Sequence, residues 1–262
     1  PGRGCVSRLG AGLNACLGLA AFRLVVAGAP AGADADPEVQ ALLQRMDDLY
    51  RGDETSHGTV TMRVKTSRFE REMTMETWTE GTENTLVRIL EPARDRGMAT
   101  LKVEHNIWNY LPKVDRTIKV PVSMMSGSWM GSHFSNDDLT NSSRFSRDYD
   151  CTAIERPETN DGKWVIECIP KEDAVVVYGK SILRIDAETE IAEELADYDE
   201  RGNLARTMTL SEIDREGDRI FPRRSRIVPA DKPGEYTEMI YDEIRFDVEL
   251  PADTFSLRSL RR

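Results

Sequence analysis

Gly58-Thr59-Val60-Thr61-Met62-Arg63-Val64 is the stretch whose reading decides the fold. Val60, Met62 and Val64 alternate with Thr59, Thr61 and Arg63, and a period of two sends alternate side chains to opposite faces of a strand. Upstream the period is 3.6. Asp36 suits a helix cap, Pro37 suits the first helical position, and Gly52 is placed to end the helix. Between them Val39, Leu42, Leu43, Met46, Leu49 and Tyr50 recur on one stripe, so this helix must lie on an apolar surface. Downstream the period of two persists. Phe69, Arg71, Met73 and Met75 share one parity; residues 85–90, Leu101 with Val103, and residues 107–111 follow as extended runs. Pro112 and Pro121 bracket residues 113–120, and proline confines such a run to strand ends or edges.

The second half reads as a row of hairpins. Residues 164–169, 175–185, 192–199, 204–213, 219–228 and 236–248 are extended runs. Asn160-Asp161-Gly162, Arg201-Gly202-Asn203, Glu216-Gly217-Asp218 and Lys232-Pro233-Gly234 supply turns between them. Short strands punctuated in this way predict an antiparallel meander of about ten or eleven strands, a mainly β (α+β) chain with one opening helix.

Composition bounds the function. With 31% charged and 39% apolar residues spread along 262 positions, the chain has an ordinary globular make-up, not a disordered one. A net charge of −11 argues against nucleic acid, whose phosphates demand a basic surface, and against passive adhesion to an anionic membrane. The first 33 residues differ from the rest: Arg3, Arg8 and Arg23 are present without any acid, and residues 9–22 are apolar and small. Ala27-Gly28-Ala29 and Ala31-Gly32-Ala33 offer cleavage patterns. This predicts a secretory signal peptide at 1–33, cleavage near Ala33, and a single domain over 34–262, although Arg23 interrupts the apolar run. Loss of those arginines lowers the net charge from −11 to −14. Leu13-Asn14-Ala15-Cys16 resembles a lipoprotein box only faintly, because the apolar run continues past Cys16, so a lipid-anchored form is not expected. No other apolar run approaches the ~20 residues of a membrane span.

Beyond the leader the cysteines are Cys151 and Cys168, which flank the Asn160-Asp161-Gly162 turn at similar distances. They are either a cross-strand disulfide or two reduced core cysteines; an oxidising compartment favours the disulfide.

Signs of catalysis are sparse. His57, His105 and His133 have no metal-ligand spacing. Gly127-Ser128-Trp129-Met130-Gly131 has its serine in the wrong place for a nucleophile elbow, and Asp137-Asp138 begins no metal loop. No enzyme activity, metal or cofactor is expected. What stands out is apolar loop content: Val122, Met124, Met125, Trp129, Met130 and Phe134 crowd a stretch rich in serine and glycine. Methionine suits surfaces that accept variable apolar partners, but a core-packing segment that touches no ligand has the same composition. Trp78, Trp108 and Tyr110 are further candidates for a cavity wall, under the same two readings.

Two segments resemble the outer-membrane lipoprotein-sorting family, the LolA-like periplasmic carriers. Asn106-Ile107-Trp108-Asn109-Tyr110-Leu111-Pro112-Lys113 is similar to that family's strand ending in a Tyr-x-Pro turn. Met130-Gly131-Ser132-His133-Phe134-Ser135-Asn136-Asp137-Asp138-Leu139 resembles the G-S-x-F-x-x-x-D-L segment of a broad subfamily. The order of leader, amphipathic helix and antiparallel strands agrees from Pro37 onward. The resemblance implies a strongly curved, unclosed β-barrel covered by the helix and a loop or helical lid, around a hydrophobic cavity for acyl chains. It implies a monomeric periplasmic carrier of a lipoprotein or lipid, with an inner-membrane transporter and an outer-membrane acceptor as partners. A lipid-sensing interaction protein or an accessory partner of a membrane exporter would use the same fold without transport, and a hydrolase would need a nucleophile beside a base. Residues 123–139 are expected to gate or line the cavity, with Gly127 and Gly131 as hinges. On that reading Trp129→Ala and Met130→Ser weaken acyl binding and barely change stability.

Overall fold

Asp36 caps the opening helix as its short carboxylate allows, accepting the Glu38 N–H at 3.1 Å. This helix, α1, spans Pro37–Arg51. The computed structural model describes residues 36–51, 55–141, 145–174, 176–217 and 219–262; the leader read at 1–33 lies outside the described residues. No helix among them is long and apolar enough to cross a membrane.

Thirteen strands follow among the described residues: β1 (Thr55–Lys65), β2 (Glu70–Glu80), β3 (Asn84–Glu91), β4 (Ala99–Val103), β5 (Asn106–Leu111), β6 (Arg116–Lys119), β7 (Tyr149–Glu155), β8 (Lys163–Pro170), β9 (Lys180–Asp186), β10 (Ala192–Tyr198), β11 (Leu204–Glu216), β12 (Arg219–Pro229) and β13 (Tyr236–Phe246). This exceeds the ten or eleven expected; β7 is missing from the extended runs read in the sequence, its alternation of Tyr149, Cys151 and Ala153 being blurred by the exposed Ile154. Two short helices, α2 (Asn136–Asn141) and α3 (Phe145–Asp148), lie between β6 and β7.

All thirteen strands join one antiparallel sheet, in the order β6-β5-β4-β3-β2-β1-β13-β12-β11-β10-β9-β8-β7, curved and not closed into a barrel. Two meanders thus meet at a β1–β13 seam. The turns obey their residues: Asp161 and Gly162 both adopt positive φ, 48° and 73°, as a tight hairpin at Asn-Asp-Gly requires. Cys151 and Cys168 stand directly opposite on β7 and β8 and form a disulfide.

Register traces one inner face across the sheet. Ile89 pairs Met75, Met75 pairs Val60, and Met62 pairs both Met73 and Met239. Further along, Ile227 pairs Met208, Met208 pairs Leu195, Leu195 pairs Leu183 and Leu183 pairs Ile166. Helix α1 covers the β7–β10 end, where Val39, Leu42, Leu43 and Met46 pack against Trp164, Ile166, Leu183 and Ile185. Each such fully buried side chain contributes roughly 1.5–3 kcal/mol before entropy is counted. The opposite face is also covered at β3–β5. There Leu86, Ala99 and Leu101 lie under Phe255 and Leu260 of the C-terminal tail, and Arg88 Nη2 donates to the Ser259 carbonyl at 2.7 Å.

Candidate functional site

Strands β6 and β7 are consecutive in the chain but form opposite edges of the sheet. The segment joining them, residues 120–148, must therefore cross the sheet, and its described residues, 120–141 and 145–148, lie over the inner face as a strap. Polar pins fasten it in sequence order. Trp129 Nε1 donates to Thr100 Oγ1 on β4 at 3.1 Å. His133 donates its backbone N–H to Thr237 Oγ1 on β13 at 2.9 Å, and its ring contacts the same hydroxyl and Glu235. Asp138 on α2 takes two bonds from Arg206 of β11, at 2.7 and 2.8 Å. Ser146 on α3 donates its N–H and hydroxyl to Asp47 of α1 at 3.0 and 2.6 Å.

The Asp138–Arg206 pin is a buried charge network. Arg206 Nε also bonds Asp197 at 2.8 Å, Asp197 accepts from the Ser181 hydroxyl at 2.7 Å, and the guanidinium lies 4.6 Å from the Tyr178 ring centre. Burial disfavours the Arg206 cation, but bonds and charge from Asp138 and Asp197 outweigh it and hold the group above its ordinary value. Burial pushes Asp197 up, against the pull of Arg206. The charged form of the pair is favoured by geometry, since three short N–H···O contacts and a hydroxyl satisfy both partners.

Between the pins the strap lowers apolar side chains into the sheet. Trp129 is 2% exposed and packs with Phe134 among Val60, Met62, Val64, Met73, Met75, Val87 and Ile89. Met130 and Gly131 form a left-handed bend with φ of 51° and 67°, which turns Met130 toward β2. A left-handed methionine costs of order 1 kcal/mol or more, and it persists here because the Trp129 N–H bond to the Phe134 carbonyl at 2.7 Å closes the bend.

Beside this bend lies an open cavity of about 310 Å³, lined by Phe69, Arg71, Met73, Ile89, Asp95, Met98, Met130 and Gly131. Ligand sites commonly begin at roughly this size. Its walls are mostly thioether and hydrocarbon, and its single guanidinium belongs to Arg71.

Of the residues picked from sequence, Met130 reaches the cavity, while Trp129 and Phe134 pack as core next to it. Met125 is half-buried and Met124 is 57% exposed. Trp78, Trp108 and Tyr110 do not join them. They lie on the opposite face, under the C-terminal tail with Leu86 and Leu101. The reason is parity: Trp78 pairs Leu86, Leu86 pairs Leu101 and Leu101 pairs Trp108, one residue out of step with the inner-face set. Both strap glycines sit close to neighbours: a Cβ on Gly127 would lie 3.0 Å from the Met124 carbonyl oxygen, and one on Gly131 3.3 Å from Arg71 Nη2. Arg71, Ile89 and Met98 were missed as cavity residues. Arg71 carried a signal, a cation at the parity of Met73 and Met75.

His133, Thr237 and Glu235 form a hydroxyl–imidazole–carboxylate row, but Thr237 is 0% exposed, so no substrate reaches the hydroxyl and the row acts as a pin. Among the described residues no three His, Cys, Asp or Glu side chains gather as a metal site.

A family model described as "Uncharacterized protein" matches residues 81–262. This chain belongs to that family. The match begins at the β2–β3 turn, so it takes in the strap and the Ile89 and Met98 side of the cavity. No curated protein matches the chain in sequence. Solved structures match it in fold. A protein from Vibrio parahaemolyticus described as an outer membrane lipoprotein-sorting protein domain shares 22% identity and a TM-score of 0.76, over 87% of this chain and 100% of that one. A DUF1329 family protein from Desulfovibrio piger shares 19% identity at a TM-score of 0.79, with the same coverage of 87% and 100%. A LolA superfamily protein from Nitrosomonas europaea shares 22% identity at 0.70, again over 87% and 100%. The fold is LolA-like.

Proposed function

We propose that this protein is a periplasmic carrier that shelters the acyl chains of a lipid or lipoprotein on the inner face of its sheet. The observation that carries the reading is the strap. Its own Trp129, Met130 and Phe134 occupy the apolar inner face as an acyl chain would, and the cavity at Met130 is where that filling stops. A cargo chain enters there and displaces the strap's side chains from Met73, Met75 and Ile89. Each methylene so buried contributes ~0.8 kcal/mol, which offsets the opening of the strap. Because the closed strap competes with cargo, affinity is lowered by the fraction of open molecules, and release stays feasible. The Cys151–Cys168 disulfide and the leader-like N-terminal sequence support an oxidising compartment outside the cytoplasm.

The test is lipid transfer. The chain is incubated with donor vesicles holding a fluorescent acyl lipid and with unlabelled acceptor vesicles. Protein-dependent movement of the label, together with a lipid mass on the protein in native mass spectrometry, is expected. Binding without transfer would favour a lipid-sensing role, and the absence of both would overturn the proposal.

A further inference from the structure

Arg71 is the next residue of its parity after Met75 and Met73 on β2, so the apolar row of the inner face ends on a guanidinium near the β1–β2 turn. Among the described residues that cation has no hydrogen bond or ion pair, and its Nε is buried without an acceptor. Its Cζ lies 5.4 Å from the Phe69 ring centre, and Gly131 lies beside Nη2. Asp95 lines the same cavity and its charge favours the Arg71 cation, but no hydrogen bond or ion pair joins the two, and one of its oxygens is engaged by Arg94 Nε at 3.1 Å. The neighbouring arginines are satisfied differently: Arg63 pairs with Glu72, Arg224 with Glu238 and Arg206 with Asp138. Burial draws Arg71 below its ordinary value, yet a guanidinium stays charged in proteins. An unpaired, half-buried cation is costly to keep, and its fork geometry fits a carboxylate or phosphate.

We propose that this cavity selects acyl lipids with an acidic end, a carboxylate or phosphate bonded by Arg71 while the chain lies on Met73, Ile89, Met98 and Met130. This rests on the acyl-binding reading and adds the chemistry of the head. Phe69, 42% exposed, stands at the mouth and leaves room for the polar end to meet water.

The experiment uses the full chain and a fluorescent polyene fatty acid, its methyl ester, dodecyl phosphate and inorganic phosphate. The acid is expected to bind at least ten-fold more tightly than the ester. Dodecyl phosphate should displace it at micromolar concentration, whereas inorganic phosphate should not at millimolar. Arg71→Met should erase the preference for the acid, so that acid and ester bind alike, and raise the melting temperature of the free protein because a half-buried cation without a bonded partner has gone. Arg71→Lys should keep part of the preference and guards against a folding artefact. Equal binding of acid and ester by the wild type would overturn the proposal, as would an Arg71→Met variant that folds and still prefers the acid. Displacement by inorganic phosphate alone would reduce the site to a plain anion site and also overturn it. If neither acid nor ester binds, the acyl-binding reading itself fails and this proposal goes with it; equal binding sinks only the role of Arg71.

Discussion

Replacing Trp129 with alanine asks whether the strap is core or merely cover. The side chain is 2% exposed and sits among the methionines and valines of β1 and β2, so its removal leaves a large void. Buried Trp→Ala changes cost about 3–5 kcal/mol. The lost Nε1 bond to Thr100 adds little, because the Thr100 hydroxyl still donates to Asn109 Oδ1 at 2.7 Å and is not orphaned. Whole-domain stabilities are about 5–15 kcal/mol, so the change is a major fraction of the total. One effect caps it. If the strap opens on its own at lower free energy than global unfolding, the measured loss cannot exceed that opening free energy, since the variant then rests with its strap undocked. Urea unfolding measures the loss, and hydrogen exchange shows where it falls. A midpoint shift of about 1 M or more is expected at unchanged slope, with protection lost first at the amides of residues 127–138. A loss below about 1 kcal/mol, with protection of those amides unaltered, would refute the docking argument. The stability change also replaces the expectation, read from composition, that Trp129→Ala barely matters to stability.

Other expectations test other pins. Asp138→Ala leaves Arg206 with Asp197 alone and should cost about 3 kcal/mol in chemical denaturation, at the low end for a broken buried pair; a loss under half that refutes the latch. Reducing Cys151–Cys168, or replacing both by alanine, should cost about 3 kcal/mol for a loop of this length, and the two treatments should agree. Glu235 is depressed from 4.5 to about 2, chiefly by the Ser67 N–H at 2.7 Å and then by His133. A carboxylate depressed on folding stabilises fully above its unfolded value, so this contribution should fade as pH falls from 4.5 to about 2. Glu235→Gln should flatten the stability–pH curve in that window and nowhere above it. Gly131→Ala, at φ of 67° and with Arg71 Nη2 3.3 Å from the new Cβ, should lower the melting temperature; an unchanged value would show that the bend tolerates a side chain.

The alternation at Val60, Met62 and Val64 and the turn at Asn160-Asp161-Gly162 carried the sheet because strand faces and hairpin turns are local physics. Trp78 could have been placed by the same rule, being one residue out of phase with Met73 and Met75; aromatic character alone put it on the wrong face. The C-terminal tail over Leu86 and Leu101 was invisible, since nothing near Phe255 or Leu260 announces what they cover. The role of Asp138 as a latch was not legible because its partner, Arg206, is 68 residues away in the chain. The strap's apolar content was evident, but composition does not distinguish a side chain that awaits a ligand from one that replaces it. That distinction required its pins, and each pin joins residues with no shared local pattern.

The order of the sheet has a consequence for how the chain divides. Strands β1–β6 form one run of hairpins and β7–β13 another, and among the described residues the β1–β13 ladder is the only strand pairing between them. The strap alone joins the two covalently among the described residues. A break in the backbone at residues 142–144 would therefore leave two fragments, each made almost wholly of neighbour-to-neighbour pairings. Their recognition surfaces would be a ten-pair ladder, from Ser56↔Phe246 to Lys65↔Tyr236, helix α1 on β7–β10, the C-terminal tail on β3–β5, and the half-strap that each keeps. Co-expressed as separate polypeptides, residues 1–141 and 145–262 should reassemble by strand complementation, which would make this scaffold a natural split reporter.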